Sequence, residues 1–274
     1  MPNLPETEKL LLEFSNGWLT IWFNTPENRN ALSSELSEEL VKTLTMVRDD
    51  RSVRGITMRG RGGIFCAGGD LKSFGSALSG EFSHEDAAKL NRGGGEMFHL
   101  VNTMPQVVIA LVEGAAIAGG LGMLCCADIV AVTKDAKFSL TETQLGIAPA
   151  QIAPYVVQRT GLTTARRLML TGARFTGVEA ERYGLADFIA DTSGQLDLIE
   201  ADIKKNVMLC APGANAATKE LVLAAPHLGT EEMMDFAAKR FAECMLSDEG
   251  REGIMSFVQK TKPSWAATDE ESDQ

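Results

Sequence analysis

Cations are scarce in this chain. Lysine and arginine total 26 against 37 aspartates and glutamates, a formal net charge of −11 over 274 residues. A nucleic-acid surface needs a basic stripe, so this balance argues against one. It leaves room for a phosphate-bearing small molecule, which needs only a few local cations. Histidine is scarcer still. His84, His99 and His227 stand far apart, no metal-ligand spacing joins them to the five cysteines, and surface or structural roles are expected for each. Long apolar runs are missing, so no segment reaches the length of a membrane span. The opening residues, MPNLPETEKLLLEF, lack the basic start and apolar block of a signal peptide. Without an export signal, and with an odd number of cysteines, reduced and buried thiols in a cytoplasmic protein are expected. Cys125 and Cys126, adjacent on a predicted helix, point in different directions.

What is present is apolar bulk and glycine. Apolar residues make up 45% of the chain, enough for one large domain or a domain with an appendage. Apolar runs at 10–14 and 18–23, parted by Asn16-Gly17, predict a hairpin. The loop TPENRNAL follows. Ser33 is then the expected N-cap of a helix that carries Leu36, Leu40, Leu44 and Val47 on one face. Further strands are predicted at 55–59, 107–112, 129–133 and 137–140, and helical patterns at 155–158 and 163–170. Residues 73–92 read as a mobile polar loop leading into a helix, and Gly93-Gly94-Gly95 as a kink or break in that helix. From about residue 201 the texture turns helical, with segments at 198–209, 214–224 and 231–246. The chain divides accordingly into a core (1–200), a helical region (201–265) and an acidic tail (266–274) expected to be disordered.

Two stretches point to chemistry. In EGAAIAGGLGMLCCADI (113–129), a buried strand gives way to Gly119-Gly120 and a helix of small residues. Without a Cβ, the backbone there is open to close approach. The first N–H groups of a helix have no partner within it, and the dipole adds positive charge at the same place. Such a spot binds an anion, or stabilises one that develops during a reaction. The plain alternative is a glycine turn that lets the helix pack tightly on the strand. The second stretch, IFCAGGDLK (64–72), also follows a strand and also contains a glycine pair.

Together, FCAGGDLK and AIAGGLGMLCCADI resemble the CAGxDLK and GGGxxLxxxxDI segments of the crotonase family, the enoyl-CoA hydratases and isomerases. The resemblance runs from about residue 12 to 265. It implies an α/β fold: a ClpP-like spiral of ββα units forming the catalytic core, then a helical region that builds a homotrimer or a dimer of trimers and completes the neighbour's ligand site. It also implies an acyl substrate carried as a coenzyme A thioester, with no permanently bound cofactor and no metal. On that reading Gly93-Gly94-Gly95 could instead make room for a bulky acyl group.

Adding water to an unsaturated thioester sends negative charge onto the thioester oxygen. Two converging N–H donors stabilise that enolate more than the neutral carbonyl, and losing one costs about 3 kcal/mol. The resemblance assigns these donors to Gly69 and Gly119. It places Arg29, Ala31, Ala67, Gly69, Asp70, Leu71, Lys72 and Gly119 along the coenzyme, with Phe257 and Lys260 of the closing segment at its nucleotide end. Arg29, Lys72 and Lys260 are the cations expected near its phosphates.

Hydratases of this family commonly use two glutamates. Glu142, in LTETQLGIAP, falls on the second; the first falls on Gly122. A glycine moves no protons, so either one carboxylate does all the acid–base work or another polar group has moved in. Gln144 and Gln151 are candidates to orient water. LGIAPAQIAPYVVQRTG resembles a segment of bacterial hydratases that act on 3-methylglutaconyl-CoA and isohexenylglutaconyl-CoA. The expectation is therefore a hydratase of a branched 2-enoyl-CoA. The alternatives are a Δ3–Δ2 enoyl-CoA isomerase and a CoA-binding protein that has lost catalysis.

Overall fold

The computed structural model describes residues 2–70 and 83–266. Residues 267–274, the first half of the loop expected at 73–92 (73–82), and the candidates Leu71 and Lys72 lie outside the described residues.

The hairpin of β1 (Leu10–Ser15) and β2 (Trp18–Phe23) turns at Asn16 and Gly17, both at positive φ. Ser33 caps α1 (Ser34–Val47) by accepting from the Leu36 N–H, and Leu36, Leu40, Leu44 and Val47 are buried. There follow β3 (Gly55–Gly60), α2 (His84–Asn102), β4 (Val107–Val112), β5 (Ala115–Ile117), α3 (Gly119–Cys125), β6 (Ile129–Thr133) and β7 (Lys137–Ser139). A 3-10 turn (Glu142–Leu145) leads to α4 (Ala153–Thr160), α5 (Leu162–Thr171), β8 (Arg174–Thr176), α6 (Gly177–Arg182) and β9 (Phe188–Ala190). The chain closes with α7 (Ser193–Met208), α8 (Pro212–Ala224), α9 (Thr230–Leu246) and α10 (Asp248–Gln259).

Two sheets result. The larger has the order β1-β2-β3-β4-β6-β9 and is parallel after the opening hairpin; the smaller has the order β5-β7-β8. Bridges between Leu32 and Gly69 and between Cys66 and Ala116 carry the smaller sheet's pairing back to earlier turns of the chain. Each turn therefore lays one strand in the large sheet and a strand or bridge in the small one, then adds a helix. This is the stacked ββα spiral. Strand β4 shows why its residues are apolar throughout. Val108, Ala110 and Val112 join the main core, while Ile109 and Leu111 meet Trp18, Leu196, Ile203 and Val207 on the opposite face. A strand buried on both faces reads as a continuous apolar run.

Four expectations need correction. Helix α2 runs without interruption through Gly93, Gly94 and Gly95. Elements β8, α6 and β9 had no counterpart in the sequence reading. A boundary at residue 200 falls inside α7, whose Leu196, Ile203 and Val207 pack on the large sheet. Of the cysteines, Cys66, Cys125 and Cys126 are buried, but Cys210 is exposed and Cys244 half-buried.

Helices α8 to α10 are tied to the N-terminal ends of the strands. Arg54, just before β3, donates to the carbonyls of Cys210 and Trp265. Lys219 of α8 reaches the Gln106 carbonyl, just before β4, and the Asp128 carboxylate, just before β6. His84, His99 and His227 are exposed. Among the described residues no cluster of His, Cys, Asp and Glu is placed to hold a metal, and no helix is long and apolar enough to cross a membrane.

Candidate active site

The C-terminal ends of β3 and β4 feed two adjacent turns. After β3, the Phe65 and Cys66 N–H groups donate to the carbonyls of Glu113 and Ala115, so residues 64–70 run alongside the chain leaving β4. Gly68 has φ +96°, and a Cβ there would meet the Ile117 carbonyl oxygen at 2.8 Å. After β5, Ala118 also takes a positive φ, 50° with ψ −122°. Its N–H is held by the Ser139 carbonyl and its own carbonyl by the Gly122 N–H. Each of these residues immediately precedes a candidate donor.

The two donors lie side by side. The Gly69 nitrogen is 3.7 Å from where a Cβ on Gly119 would stand, and the Gly119 nitrogen is 3.6 Å from where one on Gly68 would stand. Neither N–H has an acceptor among the described residues. Leu32 Cδ1 and Phe98 Cζ close the space around Gly119, at 3.2 and 3.8 Å from the same Cβ position. Two free N–H groups in an apolar surround can hold a developing oxyanion.

Sheet register brings the acid to the strand that neighbours the one leading to Gly119. Strands β5 and β7 run parallel with Ile117 opposite Ser139. Gly119 and Glu142 therefore emerge from neighbouring strands on the same side. Glu142 is buried, 9% exposed, and its Oε2 has no hydrogen-bond partner among the described residues. Burial raises its pKa above the ordinary carboxylate value, against a smaller lowering by a backbone hydrogen bond. A raised pKa of this kind suits a carboxyl that must take up and return a proton.

The position opposite, Gly122, is answered differently from either sequence expectation. Among the described residues, the three atoms nearest to where a side chain at 122 would begin all belong to Ile152. Each of the two glutamines expected to orient water is anchored by one bond from its amide nitrogen. Gln144 Nε2 donates to the Gly172 carbonyl at 3.2 Å, and Gln151 Nε2 to Asn91 Oδ1 at 2.8 Å.

Of the residues expected along the coenzyme, the structure brings Arg29, Ala31, Ala67, Gly69 and Asp70 together. The Ala67 N–H donates to the Arg29 carbonyl, Leu32 N–H to Gly68, and Asp70 N–H to Leu32. Arg29 is exposed, at φ 58°. The sequence reading missed the residue that pins this loop. Asn30 is fully buried; its Oδ1 accepts from the Thr25 N–H, and its Nδ2 donates to the carbonyls of Arg61 and Ile64. It also missed Leu32, Phe98 and Ile152, which carry no signal beyond being apolar. Phe257 and Lys260 are not brought to this site within one chain. Lys260 caps α10 and Phe257 lies on it, and that helix belongs to the group tied to the N-terminal strand ends, while the donors follow the C-terminal ends.

A spiral of ββα units is the fold of the crotonase class, and here two free glycine N–H groups and a buried carboxyl follow its inner turns. A model of the enoyl-CoA hydratase/isomerase family matches residues 13–268, and the chain belongs to that family. The chain resembles the structure of Pseudomonas aeruginosa AtuE with a TM-score of 0.91 and 47% identity, covering 95% of this chain and 100% of the other. A Thermus thermophilus protein that bears the name of an enoyl-CoA hydratase is 33% identical over 245 residues, 89% of this chain and 95% of its own. The peroxisomal Δ(3,5)-Δ(2,4)-dienoyl-CoA isomerase of Arabidopsis thaliana is 30% identical over 254 residues, 89% of this chain and 90% of its own.

Proposed function

We propose that this enoyl-CoA hydratase adds water to a branched 2-enoyl-CoA of the glutaconyl type, with Gly69 and Gly119 as oxyanion donors and Glu142 as its single acid–base group. The observation that carries the mechanism is the buried Glu142 carboxyl, whose Oε2 is left without a partner and whose pKa is raised by burial. The resemblance of LGIAPAQIAPYVVQRTG to the glutaconyl-type hydratases supports the substrate class. Arg29, Ala31, Ala67, Asp70, Leu71 and Lys72 line the coenzyme; Phe257 and Lys260 reach it from a neighbouring copy in a trimer or dimer of trimers. The thioester arrives as substrate, and the chemistry calls for no resident cofactor or metal. A cytoplasmic enzyme fits this reading.

The test is a panel of 2-enoyl-CoA esters, with crotonyl-CoA and 3-methylglutaconyl-CoA at its centre, followed by loss of enoyl-thioester absorbance. The branched ester is expected to give the higher kcat/KM. Glu142→Gln keeps the shape and removes the titrating group; turnover should fall at least about a hundredfold with ester affinity little changed. Near-normal turnover in that variant would remove Glu142 from the mechanism. The second reading, a double-bond isomerase, is favoured by the same lone carboxyl and by the dienoyl-CoA isomerase relative. It requires consumption of a 3-enoyl-CoA in preference to the 2-enoyl ester.

A further inference from the structure

Two consecutive residues plug two helices. A Cβ on Gly122 of α3 would fall 2.1 Å from Ile152 Cγ2 and 2.6 Å from Ile152 Cβ. A Cβ on Gly95 of α2 would fall 2.2 Å from Gln151 Oε1. The first contact is blocked at the branch point of Ile152, whereas the second needs only the end of the Gln151 side chain to move, so Gly122 is a notch filled by Ile152 and Gly95 is covered by the tip of Gln151. Gln151 is further tied to α2 by its hydrogen bond to Asn91, one turn before Gly95. Ile152 itself is 3% exposed.

Helix geometry says what the notch at 122 overlooks. Helical side chains lean toward the N-terminus, so a residue covers the turn before its own Cα. Position 122 therefore overhangs Gly119, and whatever fills its notch stands beside the Gly119 N–H. Leu32 and Phe98 wall that N–H from other directions.

We propose that Ile152 is a specificity-determining residue: it is the apolar wall against the reacting carbons of the acyl group, held there by the Gln151–Asn91 clasp. It takes the volume through which a side chain at 122 would reach the substrate. The site is thereby limited to one working carboxyl and suited to 2-enoyl thioesters whose β-carbon substituent lies against an isoleucine. Glu142 takes a proton from water as the water oxygen bonds to the β-carbon. The π electrons move onto the thioester oxygen, and the same carboxyl then delivers the proton to the α-carbon. This inference rests on the oxyanion-hole reading of Gly69 and Gly119.

The experiment compares wild type, Ile152→Val, Ile152→Ala, Gly122→Glu and the double variant Gly122→Glu/Ile152→Ala on crotonyl-CoA and 3-methylglutaconyl-CoA, with thermal midpoints recorded for each. Cutting back the wall removes a contact that the branched substituent uses more than the small one does. The branched-to-crotonyl ratio of kcat/KM should fall at least about tenfold in Ile152→Ala, the scale for removing hydrocarbon from a pocket, with Ile152→Val between. Gly122→Glu alone should lose activity on both esters. In the double variant crotonyl-CoA hydration should exceed that of Ile152→Ala about tenfold, and the pH–rate profile should gain a second ionisation. The proposal is overturned if Ile152→Val and Ile152→Ala lower both esters equally, or if a folded double variant keeps the rate and single ionisation of Ile152→Ala. Failure of the wild type to hydrate any 2-enoyl-CoA would instead overturn the oxyanion-hole reading beneath it.

Discussion

A carboxyl that must take a proton and give it back works best with a pKa between its ordinary value and neutrality. Burial moves Glu142 in that direction, and the same burial has a consequence for stability. A raised pKa means that the folded chain binds a proton at a pH where the unfolded chain has released it. Stability therefore falls as pH rises from about 4, the ordinary glutamate range, through the raised value. Glu142→Gln carries no charge and escapes this loss. Its thermal midpoint should exceed that of wild type at pH 7 to 8, and the difference should shrink toward about pH 4. A gap that stays constant across that range would mean that the carboxyl is not held protonated by the fold. Glu142, Gly69 and Gly119 were legible in the sequence because each sits in a motif whose chemistry needs that residue type. Ile152 was not. An isoleucine in an apolar stretch signals only burial, and its role shows only when the empty position at Gly122 is found beneath it.

Among the elements, α2 is the most informative departure from expectation. Three consecutive glycines weaken a helix by roughly 1 kcal/mol each relative to alanine, yet α2 continues through them. Its N-terminus is secured by the Ser83–Asp86 capping box, and its C-terminal half is anchored by Met97, Phe98 and Val101 in the core. The three positions differ in surroundings. A Cβ on Gly93 or Gly94 would meet nothing within 4 Å, whereas one on Gly95 would strike Gln151. Gly93→Ala and Gly94→Ala should therefore each stabilise the protein by about 1 kcal/mol in urea unfolding, while Gly95→Ala should gain less, because the end of Gln151 must move and its bond to Asn91 is disturbed. Equal effects at all three positions would show that Gln151 does not cover Gly95. The opening hairpin and α1 were readable because Asn-Gly and an N-cap serine act locally. Strands β8 and β9 have three residues each, too few for a period to register, and they are ordered by neighbours distant in sequence.

On the scale of the whole molecule, the helical end of the chain is unfinished by itself. No residue of α9 is buried, although it carries Met234, Phe241 and Leu246, and α10 exposes Ile254, Met255 and Val258 as well as Phe257 at 87%. A cavity of about 720 Å³ opens among α8, α9 and α10, lined in part by Phe241, Met245 and Ile254. Exposed apolar area of this extent marks an interaction surface. On the proposed reading it also gives Phe257 and Lys260, which sit at the other end of their own chain from the donors, a role in the site of a neighbour. The self-association that follows has a direct measurement. Light scattering on the eluting protein should give three or six times the 29.5 kDa of one chain. Phe241→Glu puts a charge on the exposed face of α9, away from Glu142 and both donor glycines, and should shift the mass toward the single chain. Activity should fall with assembly, chiefly through a higher KM, because the dissociated chain keeps Glu142 and the donor pair but loses the neighbour's hold on the coenzyme. A wild-type monomer with full activity, or a dissociated Phe241→Glu variant with an unchanged KM, would mean that each chain binds the coenzyme alone and that Phe257 and Lys260 take no part in it.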